Sequence, residues 1–263
     1  MLSLRKTILK SFTPHEFRNL DKEKAWRLLE KGLAEMFGTG LFVCMGCMGT
    51  LSDSKGEYLD YLGGVLTFAF AIATSVMIFG HISCIINPAL VAADVIRGEK
   101  SLFMFVYITV MECLGAFLGY ALLRVLVADE LLGGTSGSFC CSTKDVRVTS
   151  LRAMGVEMLI TAILCLLFCS VQDPKNSDRN STVALKFGFG CFALLLPSVH
   201  YASSSMNPAR SFGPALYNNY WKDQWIYWVG PLSGAIVAAV IYMLLFAQHF
   251  PRSKREIRPN SYI

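Results

Sequence analysis

Two tripeptides in this chain combine residue types and placement in a way that can do chemistry: Asn87-Pro88-Ala89 and Asn207-Pro208-Ala209. Asparagine is a favoured helix N-cap, and a proline just after it costs nothing because the first helical N–H has no intrahelical partner. Each triplet therefore reads as a helix start. Set tip to tip, two such starts would each direct roughly half a unit of positive charge at the meeting point and so repel cations. The two carboxamides could also donate hydrogen bonds to one passing neutral oxygen, orienting it and interrupting a proton-conducting file of water. One triplet alone would say no more than "helix start"; two at matching places in a repeat say considerably more. Enzyme chemistry is the least supported class. His15, His81, His200 and His249 are scattered, no nucleophile is paired with a base, and no glycine-rich phosphate loop opens a helix. No cofactor and no metal are expected.

The elements that would carry these triplets are apolar and long. The chain is 54% hydrophobic and 16% charged over 263 residues, more apolar surface than one soluble core would cover. Hydrophobic runs near 33–51, 59–80, 102–128, 153–171, 183–199 and 224–248 approach the roughly 18–20 residues that cross a bilayer as a helix. No barrel-type alternation is visible, so helices are expected to satisfy the backbone polar groups internally. Six spans follow.

The two halves repeat. Ala34-Glu35-Met36-Phe37-Gly38-Thr39 is answered by Val156-Glu157-Met158-Leu159-Ile160-Thr161, and Gly115-Ala116 by Gly234-Ala235. The asparagine triplet follows the glutamate by 52 residues in one half and by 50 in the other. Three spans per half is an odd number, so the second half must lie inverted. Such repeats place their site at the bilayer midplane with interrupted helices. Pro88 to about Arg97, and Pro208 to about Tyr217, would each span about 15 Å, half the hydrocarbon core. The predicted fold is an all-α membrane protein of six transmembrane helices plus two half-membrane re-entrant helices in an inverted repeat. The expected division is a tail at 1–25, a channel domain at 26–248 (repeats at about 26–128 and 150–248) and a second tail at 249–263.

Basic residues cluster in the first tail, at Arg97 to Lys100, at Lys175 to Lys186 and at Arg252 to Arg258, whereas the alternate loops hold only Lys55, Lys144, Arg147 and Lys222. The positive-inside rule then puts both termini in the cytoplasm. The net charge of +5 reads as topology and attraction to anionic lipid, with nucleic acid not a partner. No signal peptide is expected at the start. Of nine cysteines, Cys44, Cys47, Cys113, Cys165, Cys169 and Cys191 fall within apolar runs and read as small hydrophobes. Cys140 and Cys141 lie in an expected extracellular loop; vicinal cysteines rarely bridge each other, and pairing with another chain stays open.

The segments Ala34–Thr39, Gly80-His81-Ile82-Ser83, the two triplets, Asn207–Ala215 and Trp225–Pro231 resemble the aquaporin, or major intrinsic protein, family, in the manner of an insect-like member with a non-standard filter. The resemblance covers nearly the whole chain. It implies a passive channel for water, excluding protons and ions, in a homotetramer with one pore per subunit, embedded in a lipid bilayer and housed in the plasma membrane. It implies that Arg210 narrows the pore on the extracellular side, and that Glu35 and Glu157, with His81, support the loops feeding the half-helices; proton relay is the alternative role for the two glutamates. Glu112 is expected at an interface or behind the pore.

By the same resemblance, the selectivity filter falls on Phe68, Leu195, Ser204 and Arg210. A histidine usual in water-selective members is missing, and Leu195 stands in its place; His200 is expected farther out, in the vestibule. A more apolar and wider constriction would favour glycerol or urea. Against that, Ser211 follows the arginine where glycerol facilitators carry an aspartate, and Tyr227-Trp228 is kept as in water channels. The reading is water together with small neutral solutes; the alternatives are a primary glycerol or urea facilitator, or a poorly conducting junctional or adhesion member. The first pore loop, Ser83-Cys84-Ile85-Ile86, is one residue shorter than the family spacing, and Ser203 stands where a glycine is usual. Cys84 precedes Asn87 by the three residues that separate Ser204 from Asn207, so it either faces the pore, where mercurials would reach it, or is packed away.

Overall fold

The computed structural model describes residues 21–52, 61–132, 137–176 and 182–246. Most of both predicted tails, with His15 and His249, and Lys55 in the first loop, lie outside the described residues. Among the described residues eight α-helices follow one another: α1 (Lys22–Met48), α2 (Tyr61–Phe79), α3 (Pro88–Arg97), α4 (Leu102–Leu126), α5 (Ser150–Gln172), α6 (Val183–Ala202), α7 (Pro208–Asn218) and α8 (Ile226–Leu245). A short 3-10 turn, Asp129–Leu132, follows α4. Among the described residues there is no strand.

Five of the long helices, α2, α4, α5, α6 and α8, are long and apolar enough to cross a bilayer. The sixth, α1, is the longest at 27 residues, and its first turns are charged. Asp21 caps its start by accepting from the Lys24 N–H, so the helix begins before the expected domain boundary at residue 26. The outward faces of the long helices carry Phe37, Phe70, Met77, Val110, Leu118 and Leu159, all exposed, as a surface solvated by lipid tails requires.

The half-helices are bounded by local chemistry. Asn87 and Asn207 cap their starts with proline at the first turn. Their ends close on left-handed residues, Gly98 at φ 76° and Asn219 at φ 52°, whose N–H groups return to carbonyls of the last turn.

Apolar burial does not drive helices together in lipid, so close backbone approach has to, and the glycines show where it happens. Gly115 of α4 sits against the Met36 carbonyl of α1, and Gly119 against Gly40; in the second half Gly234 of α8 sits against the Met158 carbonyl of α5. Met36 and Met158 each follow a buried glutamate, so the two closest helix pairs, α1–α4 and α5–α8, are the same contact made twice. Each half-helix then packs on the last helix of the opposite half, α3 on α8 and α7 on α4. At the second of these seats Gly213 lies against the Ala116 backbone. This interlock brings the two asparagines together.

Candidate functional site

Asn87 and Asn207 meet at the centre, 4% and 5% exposed. Each uses its side-chain oxygen on its own helix: Asn87 Oδ1 accepts from the Ala89 N–H, and Asn207 Oδ1 accepts from those of Ala209 and Arg210. Each uses its amide nitrogen on the other half: Asn87 Nδ2 donates to the Met206 carbonyl at 2.9 Å, and Asn207 Nδ2 to the Ile86 carbonyl at 2.6 Å. The bonds are reciprocal, so the tips are tied as a pseudo-two-fold pair. A carboxamide has two N–H bonds, and one per asparagine is left to point at whatever occupies the centre. Pro88, Ala89, Pro208 and Ala209 are buried behind them.

The loops leading to the tips run without helix or strand partners, and buried backbone N–H groups must be paired. Glu35 of α1 accepts from the Ser83 hydroxyl at 2.5 Å, from the Ile85 N–H at 3.0 Å and from the Ile86 N–H at 2.8 Å. Glu157 of α5 accepts from the Ser205 and Met206 N–H groups, both at 2.8 Å. Both carboxylates are fully buried. Ile86 and Met206, the residues just before the asparagines, hold φ of 48° and 51°. That left-handed backbone aims their carbonyls across the axis, and it is a steep requirement for a β-branched residue such as Ile86. His81 stands apart from this bracing: it is exposed at the turn after α2, and its ring makes no hydrogen bond among the described residues, which corrects the expectation that it supports the loop. Glu112 is fully buried in α4, yet neither carboxyl oxygen has a hydrogen-bond partner among the described residues.

On one side of the tips lies a cavity of about 380 Å³ lined by Phe68, Leu195, Ser204 and Arg210, with Tyr61, Val199 and Cys140 toward its mouth. Phe68 comes from α2, Leu195 from α6, Arg210 from the first turn of α7 and Ser204 from the loop before it. The Arg210 guanidinium carbon sits 4.9 Å from the centre of the Phe68 ring, within cation–π range. Its Nη1 donates to the Cys140 carbonyl at 3.0 Å and to the Ser142 hydroxyl at 2.9 Å. A buried arginine needs such acceptors, and they come from the connection between α4 and α5, which sequence reasoning left unassigned. The Ser204 hydroxyl is engaged with Ser198 at 2.5 Å, so it offers the cavity less than its type suggests. His200 stacks on Tyr61 with ring centres 4.2 Å apart at the rim.

On the other side a smaller space of about 30 Å³ runs from Asn87 and Asn207 among Phe42, Ile72, Val76, Leu90, Phe187 and Cys191. Cys84 contributes to this lining and is buried. Its sulfur lies against Gly38 of α1, 3.2 Å from where a Cβ would stand, so the thiol itself packs between elements. Cys47, taken as a small hydrophobe within its span, forms a disulfide with Cys140, for which pairing with another chain had stayed open. The available signal was positional, since Cys47 lies in the last turn of its helix on the side where the loop bearing Cys140 emerges. Cys141 stays free, with the Asn218 amide 3.3 Å from its sulfur.

Comparison with known proteins agrees with this geometry. The profile of the family described as "Major intrinsic protein" matches residues 22–242. Mouse aquaporin-4 is 32% identical over 243 residues, covering 91% of this chain and 73% of that protein. Bovine aquaporin-2 is 33% identical over 223 residues, covering 84% and 79%. Among solved structures, an aquaglyceroporin from Plasmodium falciparum superposes with a TM-score of 0.72 over 83% of this chain and 96% of its own, at 18% identity, a likeness of fold.

Proposed function

This chain belongs to the major intrinsic protein family, and from that premise we propose that its pore conducts water and passes small neutral solutes such as glycerol or urea while excluding protons and ions. The protein is an integral membrane channel and not an enzyme. The observation that carries the reading is the reciprocal bonding of Asn87 and Asn207, which leaves one N–H from each at the meeting point of two helix N-termini. A water passing there is held through its oxygen by two donors, and that orientation breaks the file along which protons hop. The positive ends of α3 and α7, together with Arg210, repel cations.

Phe68, Leu195, Ser204 and Arg210 are the proposed selectivity filter, and Glu35 and Glu157 the braces of the pore loops. The polar edge of the filter is Arg210, and the wall Leu195 supplies is apolar, a surface on which a polyol's carbon chain gains contact. That feature favours glycerol or urea flux as the second reading. The Arg210 side is proposed to face outward, with both termini cytoplasmic, in a homotetramer at the plasma membrane.

Stopped-flow light scattering on proteoliposomes tests this directly. Shrinkage under an impermeant osmolyte well above that of empty vesicles is expected, followed by re-swelling under inward glycerol or urea gradients. Fast shrinkage with no re-swelling would reduce the function to water alone. Shrinkage at the empty-vesicle rate in well-inserted protein would overturn the channel reading in favour of a poorly conducting junctional role.

A further inference from the structure

The connection from Gly137 to Thr149 touches Arg210 without belonging to either pore loop. Its contact runs through Cys140, whose carbonyl accepts from Arg210 Nη1 at 3.0 Å and whose sulfur lies 3.7 Å from Nη2. That sulfur is bonded to Cys47, buried in the last turn of α1. One residue earlier, Gly46 makes room for the Phe68 ring, with which a Cβ there would collide. Phe68 in turn carries the guanidinium on its face at 4.9 Å. Two neighbours of Arg210, the aromatic ring and the cystine, are thus indexed to residues 46 and 47 of a single helix.

We propose that the Cys47–Cys140 disulfide is a positioning element for solute selectivity: it holds the Cys140 carbonyl in place as an acceptor, keeps Arg210 over Phe68 and so sets the aperture. This rests on the reading of Arg210, Phe68, Leu195 and Ser204 as the filter.

A simple loop staple is the competing explanation, and the surrounding bonds argue against it. The connection is already anchored without the cystine. The Phe139 carbonyl accepts from the Tyr120 hydroxyl at 2.8 Å and the Asn218 amide at 3.1 Å. Ser142 meets Ser211 at 2.6 Å, the Thr143 N–H donates to the Ser203 hydroxyl at 2.9 Å, and the Asp145 N–H donates to the Tyr201 carbonyl at 3.1 Å. At Cys140 the backbone forms a turn closed by the Cys141 N–H, which donates to the Ser138 carbonyl at 3.0 Å, and the cystine ties that turn to α1. The Cys140 φ is 56°, a left-handed conformation that an L-residue disfavours. Freed from Cys47, the turn loses its tie to α1 and carries the Cys140 carbonyl away from Arg210. Arg210 then keeps Ser142 but loses one of two charge-assisted acceptors, and it moves within a cavity that has room for it.

The test uses full-length protein in proteoliposomes, with water, glycerol and urea permeabilities read as ratios. Wild type, the Cys47→Ser/Cys140→Ser double variant, and wild type treated with a phosphine reductant after insertion are compared. The phosphine attacks one sulfur and splits the S–S bond, and one water then supplies the oxygen of the phosphine oxide and the protons of the two thiols; this gives the readout in protein already folded should the double variant insert poorly. The expected result is a glycerol-to-water ratio raised roughly three- to tenfold by either treatment, as one lost charge-assisted bond allows, with water flux within about twofold and no further change when the double variant is reduced. In an Arg210→Ala background the same cysteine changes should leave the ratio where Arg210→Ala put it, which a general staple would not do. An unchanged ratio in a double variant that still conducts water overturns the proposal and leaves the channel reading intact, as does finding Cys47 and Cys140 alkylatable in unreduced native protein. Wild type that conducts nothing above empty vesicles removes both.

Discussion

The two loops that lead to the asparagines occupy equivalent places in the repeat, and they are furnished differently. The first, Ser83 to Ile86, shows the pore one thiol-bearing and two aliphatic residues and has a single left-handed residue. The second, Ser203 to Met206, has three residues at positive φ, and its serines form a chain of hydroxyls: Ser204 with Ser198, Ser205 with Ser211, Ser211 with Ser142. The residue after each triplet differs in the same sense, Leu90 in the first half and Arg210 in the second. The asparagine pair is symmetric because both half-helices need the same cap and the same cross-tie. Discrimination between solutes needs a constriction on one side only, and in the proposed filter the second loop carries the polar parts. The remaining walls of the first side are apolar, so a solute meets few hydrogen-bonding groups there.

The largest effect should come from removing a brace. Glu35→Ala leaves the Ile85 and Ile86 N–H groups and the Ser83 hydroxyl without their acceptor, and Glu157→Ala leaves two N–H groups; each orphaned buried donor costs about 1–3 kcal/mol. Both variants should lose several degrees of Tm in detergent along with most water flux. Glu35→Ala should lose more, because the second loop keeps its hydroxyl chain. Equal losses would show that the serines brace nothing.

Next in size is the residue after each triplet. Arg210→Ala should raise glycerol and urea permeability relative to water roughly tenfold, about 1.4 kcal/mol of barrier, whereas Leu90→Ala should leave that ratio nearly untouched. A ratio that moves as much for Leu90→Ala would place the selective constriction on the side of the smaller space. Leu195→His puts a second polar group opposite the arginine and should cut glycerol flux by about threefold while sparing water, as a few tenths to one kcal/mol of lost apolar contact implies; unchanged glycerol uptake would take Leu195 out of the filter.

The smallest effect concerns the first loop's thiol. With its sulfur against Gly38, Cys84 should react slowly with mercurials, and the partial inhibition that results should disappear in Cys84→Ser. A Cys84→Ser channel that stays fully sensitive would move the reactive site to another free cysteine, Cys191 in the same space or Cys141 in the wider cavity.

Much of this was readable before any coordinates. The asparagine–proline starts, the lengths of the half-helices, the repeated glutamates and the apolar spans are local signals, set by capping, by helix rise and by the cost of bare backbone in lipid, and each occurs within a few consecutive residues. Glu35 and Glu157 could be placed because a glutamate in a span must find donors and the pore loops supply them. Tertiary structure alone decided what depends on segments far apart in the chain. Cys47 and Cys140 are separated by 93 residues, and only the path taken by the connection after α4 puts their sulfurs together and lays the Cys140 carbonyl against Arg210. That same path gives Ser142 to the arginine and to Ser211, and the packing of the first loop on α1 turns the Cys84 thiol toward Gly38. Cysteine and serine have no periodicity that announces a partner. Their roles come from which backbone happens to run beside them, and that follows from how eight helices interlock.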